Sequence, residues 1–571
     1  MHSVCSLITQ KSLSQLPTDT HSHKLLISVC AGLALFALNL PASAGSKFTF
    51  TSGELQFDWQ FIPSIPDVDE ISYFITDLNG DGATDIVILG ATDPSNNTGT
   101  QGPQSGLILF NNGDNTFTPA EGDVPGSEAA RELLLEDFNG DGILDMYIAD
   151  HGYDAPPFPG FKNQLLLGTG NGFTDVSNRL PNIEAFTHNG AVGDIDGDGD
   201  IDILSLNAPD NPPEEISYFL INDGSANFTQ NRERLPDSLG SADPSILRTS
   251  FSAELADLDG DGFPELIVGR RESNPAATRI FWNDGAGFFS DTAVSFLEDA
   301  DIFGGLENIS IIEIKGTDVN GDGLIDLLLH ATNQFTYAGI SMQLFINQGN
   351  REFKDQTVRR FTSLARDPDV NRRVSPFTQF LDINGDGITD ILPWQSLDTS
   401  DDGIVVFEGT GDGCFSPITW KSISDDPEVR FRISHAAPLI SSSGVGYVNA
   451  GVFSADSIVL EYFPIDIQPA APIANLYNSC REKIEVTVDV DGSFYALDFS
   501  IFSAGPEIVI QAIASSVREL TEGLQNVAIF DSGDGKLTIP ELVLDGEVAY
   551  RNLVFQLTDG EQLLFRLDSA E

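Results

Sequence analysis

Positive charge is scarce in this chain. Lysine and arginine number 29 against 86 acidic residues, a formal net charge of −57. A surface so acidic repels phosphate backbones and anionic headgroups, which argues against nucleic acid and anionic membrane as partners. Cysteine is nearly absent, four in 571 residues, so no disulfide framework holds the fold. Tryptophan (4) is rare, and phenylalanine (39) supplies the aromatic content. Beyond the first 45 residues no apolar run is long enough to cross a bilayer as a helix. Helical periodicity is weak before residue 470. What remains is abundant glycine (53), aspartate-rich turns and short apolar runs.

The turns repeat. Six times the chain writes Asp, any residue, Asn or Asp, Gly, Asp, Gly, two of any kind, then Asp or Glu: at 77–85, 137–145, 194–202, 257–265, 318–326 and 382–390. The starts lie 60, 57, 63, 61 and 64 residues apart. So regular a period predicts a repeat architecture. Alternating carboxylates on a tight glycine turn offer the six to eight oxygens that Ca²⁺ prefers. About six structural ions are expected.

Ligand positions follow from the spacing. In loop 1 they are Asp77, Asn79, Asp81, the backbone carbonyl of Ala83, and Asp85; in loop 2, Asp137, Asn139, Asp141, Ile143 and Asp145. Loop 3 has Asp194, Asp196, Asp198, Asp200 and Asp202, and loop 4 has Asp257, Asp259, Asp261, Phe263 and Glu265. Loop 5 has Asp318, Asn320, Asp322, Leu324 and Asp326, and loop 6 has Asp382, Asn384, Asp386, Ile388 and Asp390. Loops 3 and 4 carry aspartate at position three, so their carboxylate count predicts tighter binding. These are not EF-hands, which need a Glu at position twelve. Position twelve here is Ile88, Ile148, Ser205, Val268, Leu329 and Pro393. Each loop runs into a short apolar stretch such as Ile86-Val-Ile-Leu89, which reads as a buried strand.

A second hairpin follows each loop, an apolar run, an Asn/Gly turn and a Phe: 107–117, 164–173, 217–228, 279–288, 342–353 and 404–415. Four strands in about 60 residues make one propeller blade. With six loops in register, residues 46–465 resemble the FG-GAP/VCBS repeat of the integrin α-subunit propeller, although the Phe-Gly and Gly-Ala-Pro signatures are mostly missing. A seventh, degenerate copy lies at 441–449. Its glycines Gly444 and Gly446 keep register, but Ser441, Ser443, Val445 and Asn449 stand at ligand positions, so no calcium is expected there. Strand 457–463 lacks an outer partner, and 47–61 is predicted to supply it, closing the ring and protecting the sheet edge. The expected fold is all-β, a seven-bladed β-propeller with a small β-rich C-terminal domain.

Lys24, the apolar stretch 25–40 and the Ala-Ser-Ala at 42–44 read as a secretory signal (1–44), with a retained anchor as the alternative. The expected order is signal 1–44, propeller 45–465, linker 466–475 and accessory domain 476–571, in a secreted, periplasmic or cell-surface protein with no membrane span after cleavage. The accessory domain alternates apolar and polar residues in several runs, and 508–524 is amphipathic enough to be a helix. The 531–536 stretch reads as a hairpin turn. Cys414 and Cys480 form either a bridge or two separate thiols.

No Ser-His-Asp cluster or zinc motif stands out, so no catalytic residues are assigned, and an enzyme is the less favoured reading. Topology points to another face. If each loop joins a blade's first and second strands, the outer ends of those strands meet on the opposite face. His151, His188, His330, His435, Arg270, Arg271, Arg372, Arg373 and Trp394 map there, with Arg131 and Asp150. These would bind an anionic ligand such as an acidic polysaccharide, or would merely pair with loop carboxylates. The FG-GAP resemblance implies a binding or adhesion module for an extracellular glycan or protein. The alternatives are a polysaccharide-active, lyase-like enzyme and a purely structural envelope or matrix protein.

Overall fold

A computed structural model describes residues 46–49, 58–63 and most of 70–570. Outside the described residues lie 1–45 and, among internal segments, 92–102, 153–159, 209–215, 244–249, 272–276, 368–377, 383–387, 394–403 and 420–436. The signal-peptide reading, Arg372, Arg373, Asn384, Asp386, Trp394, His435, Ser443 and Cys480 therefore fall outside them. Two compact units separate near residue 468, one of them spanning Lys47–Gln468.

The first unit is a succession of antiparallel sheets, six of them built on a four-stranded meander. Sheet 1 runs Glu70–Thr76, Asp85–Ala91, Pro103–Asn111 and Phe117–Pro119. Sheet 2 runs Ala130–Glu136, Asp145–Asp150, Gln164–Gly168 and Phe173–Asp175. Sheet 3 runs Thr187–Gly193, Asp202–Asn207, Tyr218–Asn222 and Phe228–Asn231. Sheet 4 runs Ala253–Ala256, Glu265–Val268, Thr278–Phe281 and Val294–Leu297. Sheet 5 runs Ile309–Thr317, Asp326–Asn333, Ile340–Asn347 and Phe353–Asp355. Sheet 6 runs Thr378–Leu381, Asp390–Pro393, Ile404–Gly409 and Phe415–Thr419. A further sheet has Ala437–Ser441, Gly444–Ser454 and Ser457–Pro469, with Asp58–Pro63 and Ser46–Thr49 both paired to its last strand. Asp58 stands opposite Tyr462 and Pro63 opposite Ser457. Every acidic loop joins the first and second strands of its sheet.

The cores lie between consecutive sheets. Met146 and Ile148 pack toward Val87 and Leu89 of sheet 1, while Tyr147 and Ala149, on the same strand, pack toward Ile203 and Leu220 of sheet 3. A second strand buried on both faces must be apolar throughout, which is why these strands read as unbroken runs. Face-to-face sheets in series make a β-propeller. First strands pack on one another from sheet 2 through sheet 5. The last sheet touches the first: Thr84 N donates to Ile440 O at 2.8 Å, and Ile440 N donates to Thr84 Oγ1 at 2.8 Å.

Sheet 4 departs from the Phe-hairpin pattern. Phe288 is 45% exposed, and its neighbour Phe289 is the ring buried between sheets 3 and 4. The fourth strand there starts only at Val294.

The C-terminal unit is a closed barrel. Its seven strands run in the order Lys483–Val490, Ala528–Asp531, Lys536–Leu544, Glu547–Asp559, Leu564–Ser569, Glu507–Ala512 and Ser493–Ala504, which pairs back to Lys483–Val490. Val486, Phe499, Ile510, Ile539, Leu553 and Phe555 fill it. The helix expected at 508–524 does not form. Its first half is the strand Glu507–Ala512, with Ile510 fully buried opposite Phe565, followed by a single 3-10 turn and the strand Arg518–Leu520. The β-branched run Ile508-Val509-Ile510 and a waiting strand on each side override the helical periodicity. The 531–536 turn is a hairpin, with Gly533 N donating to Asp531 Oδ1.

Deleting residues 46–63 will strip the outer partner from Ser457–Pro469 and leave an open edge. The expected result is a lower melting temperature and concentration-dependent aggregation by light scattering. A truncated protein as soluble and heat-resistant as the parent would show that this pairing is dispensable.

Candidate metal loops and the opposite face

Each acidic loop is built around its own carboxylates. In loop 1, Asp77 Oδ1 accepts from Gly80 N at 2.8 Å and from Asp81 N at 3.2 Å, and Oδ2 accepts from Gly82 N at 2.9 Å. Asp81 Oδ1 accepts from Ala83 N at 2.8 Å. Gly80 and Gly82 sit at φ 73° and 85°, a region that L side chains rarely enter. Loops 2, 4 and 5 repeat all four bonds from Asp137, Asp257 and Asp318, with Asp141, Asp261 and Asp322 at position five. In loop 3, Asp194 accepts from Gly197 and Gly199, and Asp198 from Asp200. The half-buried Asp200 carboxylate is held above its usual pKa range, by desolvation and then by Asp198, Asp194, Asp223 and Asp196.

Position nine is buried. Asp85 Oδ2 accepts from Leu78 N and Oδ1 from Asn111 N, both at 2.8 Å, tying the loop to the end of the third strand. Asp145 does the same with Phe138 and Gly168, and Asp326 with Val319 and Asn347. Asp202 accepts from Asn222 N, Asp390 from Gly409 N, and Glu265 from Leu258 N. Burial raises these acids: Asp85, Asp202 and Glu265 to about 7, Asp145 and Asp326 to about 6. Such a carboxylate is uncomfortable when ionised unless a cation joins it.

Loops 3 and 4 bring three acids together. One oxygen each from Asp194, Asp196 and Asp198, and from Asp257, Asp259 and Glu265, lies within 4.8 Å of the others. Glu265 is fully buried and its Oε1 has no hydrogen-bond partner, nor do the buried Asp196 Oδ1 and Asp259 Oδ1. A buried anionic oxygen without a donor is costly, and a hard cation is the group that fits it. These residues would hold Ca²⁺ as oxygen ligands, and the ion would supply the positive charge that lets the acids ionise together. In both loops the extra carboxylate also meets an arginine. Asp196 Oδ2 lies 2.7 Å from Arg234 Nη2, and Asp259 Oδ2 lies 2.7 Å from Arg351 Nη2.

On the opposite face, some of the residues singled out from the sequence converge and others do not. His151 stacks on Phe186 (centroids 4.6 Å apart), and His188 stacks on Phe251 (3.7 Å). Arg271 caps the Phe251 ring at 3.5 Å. Arg131 Nη2 lies 3.2 Å from His188 Nε2. Because a guanidinium only donates, Nε2 is the acceptor, and the proton sits on Nδ1, 3.4 Å from Phe251 O. His188 is therefore neutral, and burial, then Arg131, His151 and Arg271, push its pKa down. Arg270 goes elsewhere. It is 8% exposed and pairs with buried Asp299 at 3.4 Å, a structural contact. Asp150 accepts from Ser127 Oγ and the amides of Glu128, Ala129 and Gly152, pinning a loop. His330 is 1% exposed within sheet 5, and burial lowers its pKa to about 4.

A second group was not visible in the sequence because its members are 122 and 61 residues apart. Glu132, Glu254 and Lys315 sit on the first strands of sheets 2, 4 and 5. Lys315 Nζ lies 4.0 Å from Glu254 Oε2. Glu254 is raised to about 7, by desolvation against the pull of Lys315. Glu132 Oε2 accepts from Asn189 Nδ2 and Gly190 N. Cys414 is disulfide-bonded, to a partner outside the described residues.

Fold and loops together define a β-propeller in which six sheets carry an acidic nine-residue turn. The FG-GAP-like repeat model matches residues 77–148, 137–205 and 318–392, so the chain carries FG-GAP-like repeats in a β-propeller fold. No curated protein matches it. Among solved structures, an Agrocybe aegerita lectin that recognises non-reducing terminal N-acetylglucosamine is 17% identical, covering 64% of this chain and 83% of the lectin at TM-score 0.39. The V. cholerae biofilm matrix protein Bap1 is 12% identical over 92% of each chain at TM-score 0.26. Trypanosoma rangeli sialidase is 9% identical, covering 89% of this chain and 74% of its own at 0.32. Such TM-scores carry no functional argument. Among the described residues no helix is long and apolar enough to cross a membrane.

His330 makes the acid limb of stability testable. Its native pKa lies below the unfolded value, so the unfolded chain binds the proton first and stability falls as pH drops from about 6.5 toward 4. The full shift corresponds to about 3 kcal/mol. In urea titrations, His330→Leu should lose that slope relative to the parent between pH 6.5 and 4. Parallel pH profiles for the two proteins would show that His330 is not buried neutral.

Proposed function

We infer that this is a secreted or cell-surface calcium-binding β-propeller of seven blades, closed by its N-terminal strand, that works as a binding or adhesion module. Six structural Ca²⁺ ions staple loops 1 to 6, and the degenerate loop at 441–449 holds none. The ligand sits on the face opposite the loops. The observation that carries this reading is the gathering of Arg131, His188 and Arg271 from sheets 2, 3 and 4 among His151, Phe186 and Phe251. Two guanidiniums around one neutral, buried imidazole are an unusual concentration of positive charge in a chain of net charge −57, and a histidine so strongly perturbed is a functional-site candidate. Focused positive charge attracts anions, and aromatic rings suit sugar faces, so an acidic polysaccharide or an acidic protein segment fits best.

Glu132, Glu254 and Lys315 favour a second reading, a polysaccharide-active enzyme. A carboxyl poised near 7 beside an ammonium is the kind of group general acid–base chemistry uses. Turnover of an acidic polysaccharide that vanishes in Glu254→Gln would establish it.

Retention on immobilised acidic polysaccharide should fall at least tenfold in the double variant Arg131→Ala, Arg271→Ala, with the far-UV spectrum unchanged. Undiminished retention would remove this face as the binding site.

Calcium should govern stability. Extracellular modules bind at about 10⁻⁴–10⁻³ M, and each ion at ten times its Kd adds about 1.4 kcal/mol. Six such ions add on the order of 8 kcal/mol, comparable with the stability of a whole domain. Chelation should lower the propeller's melting temperature by tens of degrees, and calorimetric titration should count about six sites. A melting curve unmoved by EDTA would contradict the structural role.

A further inference from the structure

Position three of the acidic loop comes in two forms, each with its own means of orienting the side chain. In loops 1, 2 and 5, where it is asparagine, the amide reaches the loop's own carboxylates. Asn79 Nδ2 donates to Asp81 Oδ2 at 3.1 Å, Asn139 Nδ2 to Asp145 Oδ2 at 3.2 Å, and Asn320 Nδ2 to Asp326 Oδ2 at 3.4 Å. Where it is aspartate there is no amide to donate, and an arginine arrives from outside the loop. Arg234 Nη2 holds Asp196 Oδ2 at 2.7 Å while its Nη1 donates to Ala286 O, in the third-to-fourth-strand turn of sheet 4, at 2.8 Å. Arg351, in the corresponding turn of sheet 5, holds Asp259 Oδ2 through Nε at 2.8 Å and Nη2 at 2.7 Å.

The two sites divide their oxygens identically. Oδ2 goes to the arginine, and Oδ1 stays buried with no hydrogen-bond partner. Both arginines are built into place. A Cβ at Gly287 would stand 2.1 Å from Arg234 Nη1; the same seat recurs beside Asn320 of loop 5, where a Cβ at Gly413 would stand 2.2 Å from Arg360 Nη1, so the repeat supplies the guanidinium position and Asp196 is what engages it in loop 3. Arg351 lies 4.3 Å over the Trp282 ring, and it follows Asn350 with both residues at positive φ, 54° and 65°. They are the two central residues of a tight hairpin turn closed by Glu352 N donating to Gly349 O at 3.1 Å, which fixes where the Arg351 side chain leaves the backbone.

We propose that Arg234 and Arg351 are positioning residues for the cation sites of loops 3 and 4: each fixes the position-three carboxylate through Oδ2 and turns Oδ1 toward the ion. The inference rests on the calcium reading above. Each arginine also ties its loop to a neighbouring sheet, so occupancy of these two loops is coupled to contact between sheets 3 and 4 and between sheets 4 and 5. Charge alone predicts the opposite effect. An arginine beside a cation repels it, and removing the arginine should tighten binding. A lost outer-shell orienter instead weakens binding, commonly by about 10–100-fold.

The test uses the full chain and two probes, Tb³⁺ and Ca²⁺. Trp282 lies against Arg351, so Trp-sensitised Tb³⁺ emission, displaced by Ca²⁺, reports loop 4. The control is Trp282→Phe, which should abolish that signal. Arg351→Gln should weaken Ca²⁺ at this site about tenfold or more. Adding Asp259→Asn, which recreates the amide form of loops 1, 2 and 5, should restore most of the loss. Calorimetry of Arg234→Gln and of Gly287→Ala should show the same weakening at loop 3. If Arg351→Gln folds and binds equally or more tightly, the arginine is only a counter-charge and the proposal is overturned. Should Arg351→Gln fail to fold, Arg351→Lys keeps the charge without the planar fork, and undiminished affinity there overturns it as well. A parent protein that binds neither ion at any loop fails the calcium reading, and this inference with it; a parent that binds while the variants are unaffected fails this inference alone.

Discussion

The buried carboxylate at position nine is the interaction on which each of the six loop-bearing sheets depends. Asp85 accepts one N–H from inside its own loop and one from the end of the third strand, so three strands and a turn meet at one side chain. The same side chain is the loop's deepest oxygen donor. Because it is fully buried, its charge must be matched from inside the structure. Backbone N–H groups meet part of that need, and a cation would meet the rest. Fold and cation binding would thus share a side chain, and the repeat keeps an acid at this position in all six loops.

That arrangement divides the propeller into two faces of different chemical character. On one face the turns are acidic, capped by their own side chains and glycine-dependent. On the other, the strand ends carry most of the histidines and several of the few arginines. There the aromatic rings of Phe186 and Phe251 are interleaved with His151, His188 and Arg271. The neutral tautomer of His188 follows from the arginine that donates to it, not from exposure. Arg270 and His330, on the same strand ends, are absorbed into packing. Scarcity of positive charge is therefore a guide to where to look and not to which residue binds.

The chain's arginines also show how a local excess of charge is managed. The two loops with aspartate at position three would be the most repulsive turns in an already acidic protein. Each meets a guanidinium from outside its own turn, and each guanidinium rests near an aromatic ring, Phe288 for Arg234 and Trp282 for Arg351. Stacking leaves the in-plane N–H groups free to meet a carboxylate, which a lysine ammonium could not do in the same geometry.

Much of this was legible in the sequence. The nine-residue loop, its period and the apolar run after it determine a four-stranded sheet per repeat, because a tight acidic turn followed by a doubly buried strand has few other solutions. The accessory domain was legible only as β-rich. Its helix-like stretch 508–524 became strand because Ile510 had Phe565 to face inside a closed barrel. The exposed Phe288, the buried Phe289, the Arg234–Asp196 and Arg351–Asp259 pairs and the Glu132, Glu254 and Lys315 group were decided by tertiary structure alone. Period and pattern act over a few residues and survive in the sequence. Those contacts join residues 38 to 183 positions apart, and only the packing of one sheet against the next brings them within reach.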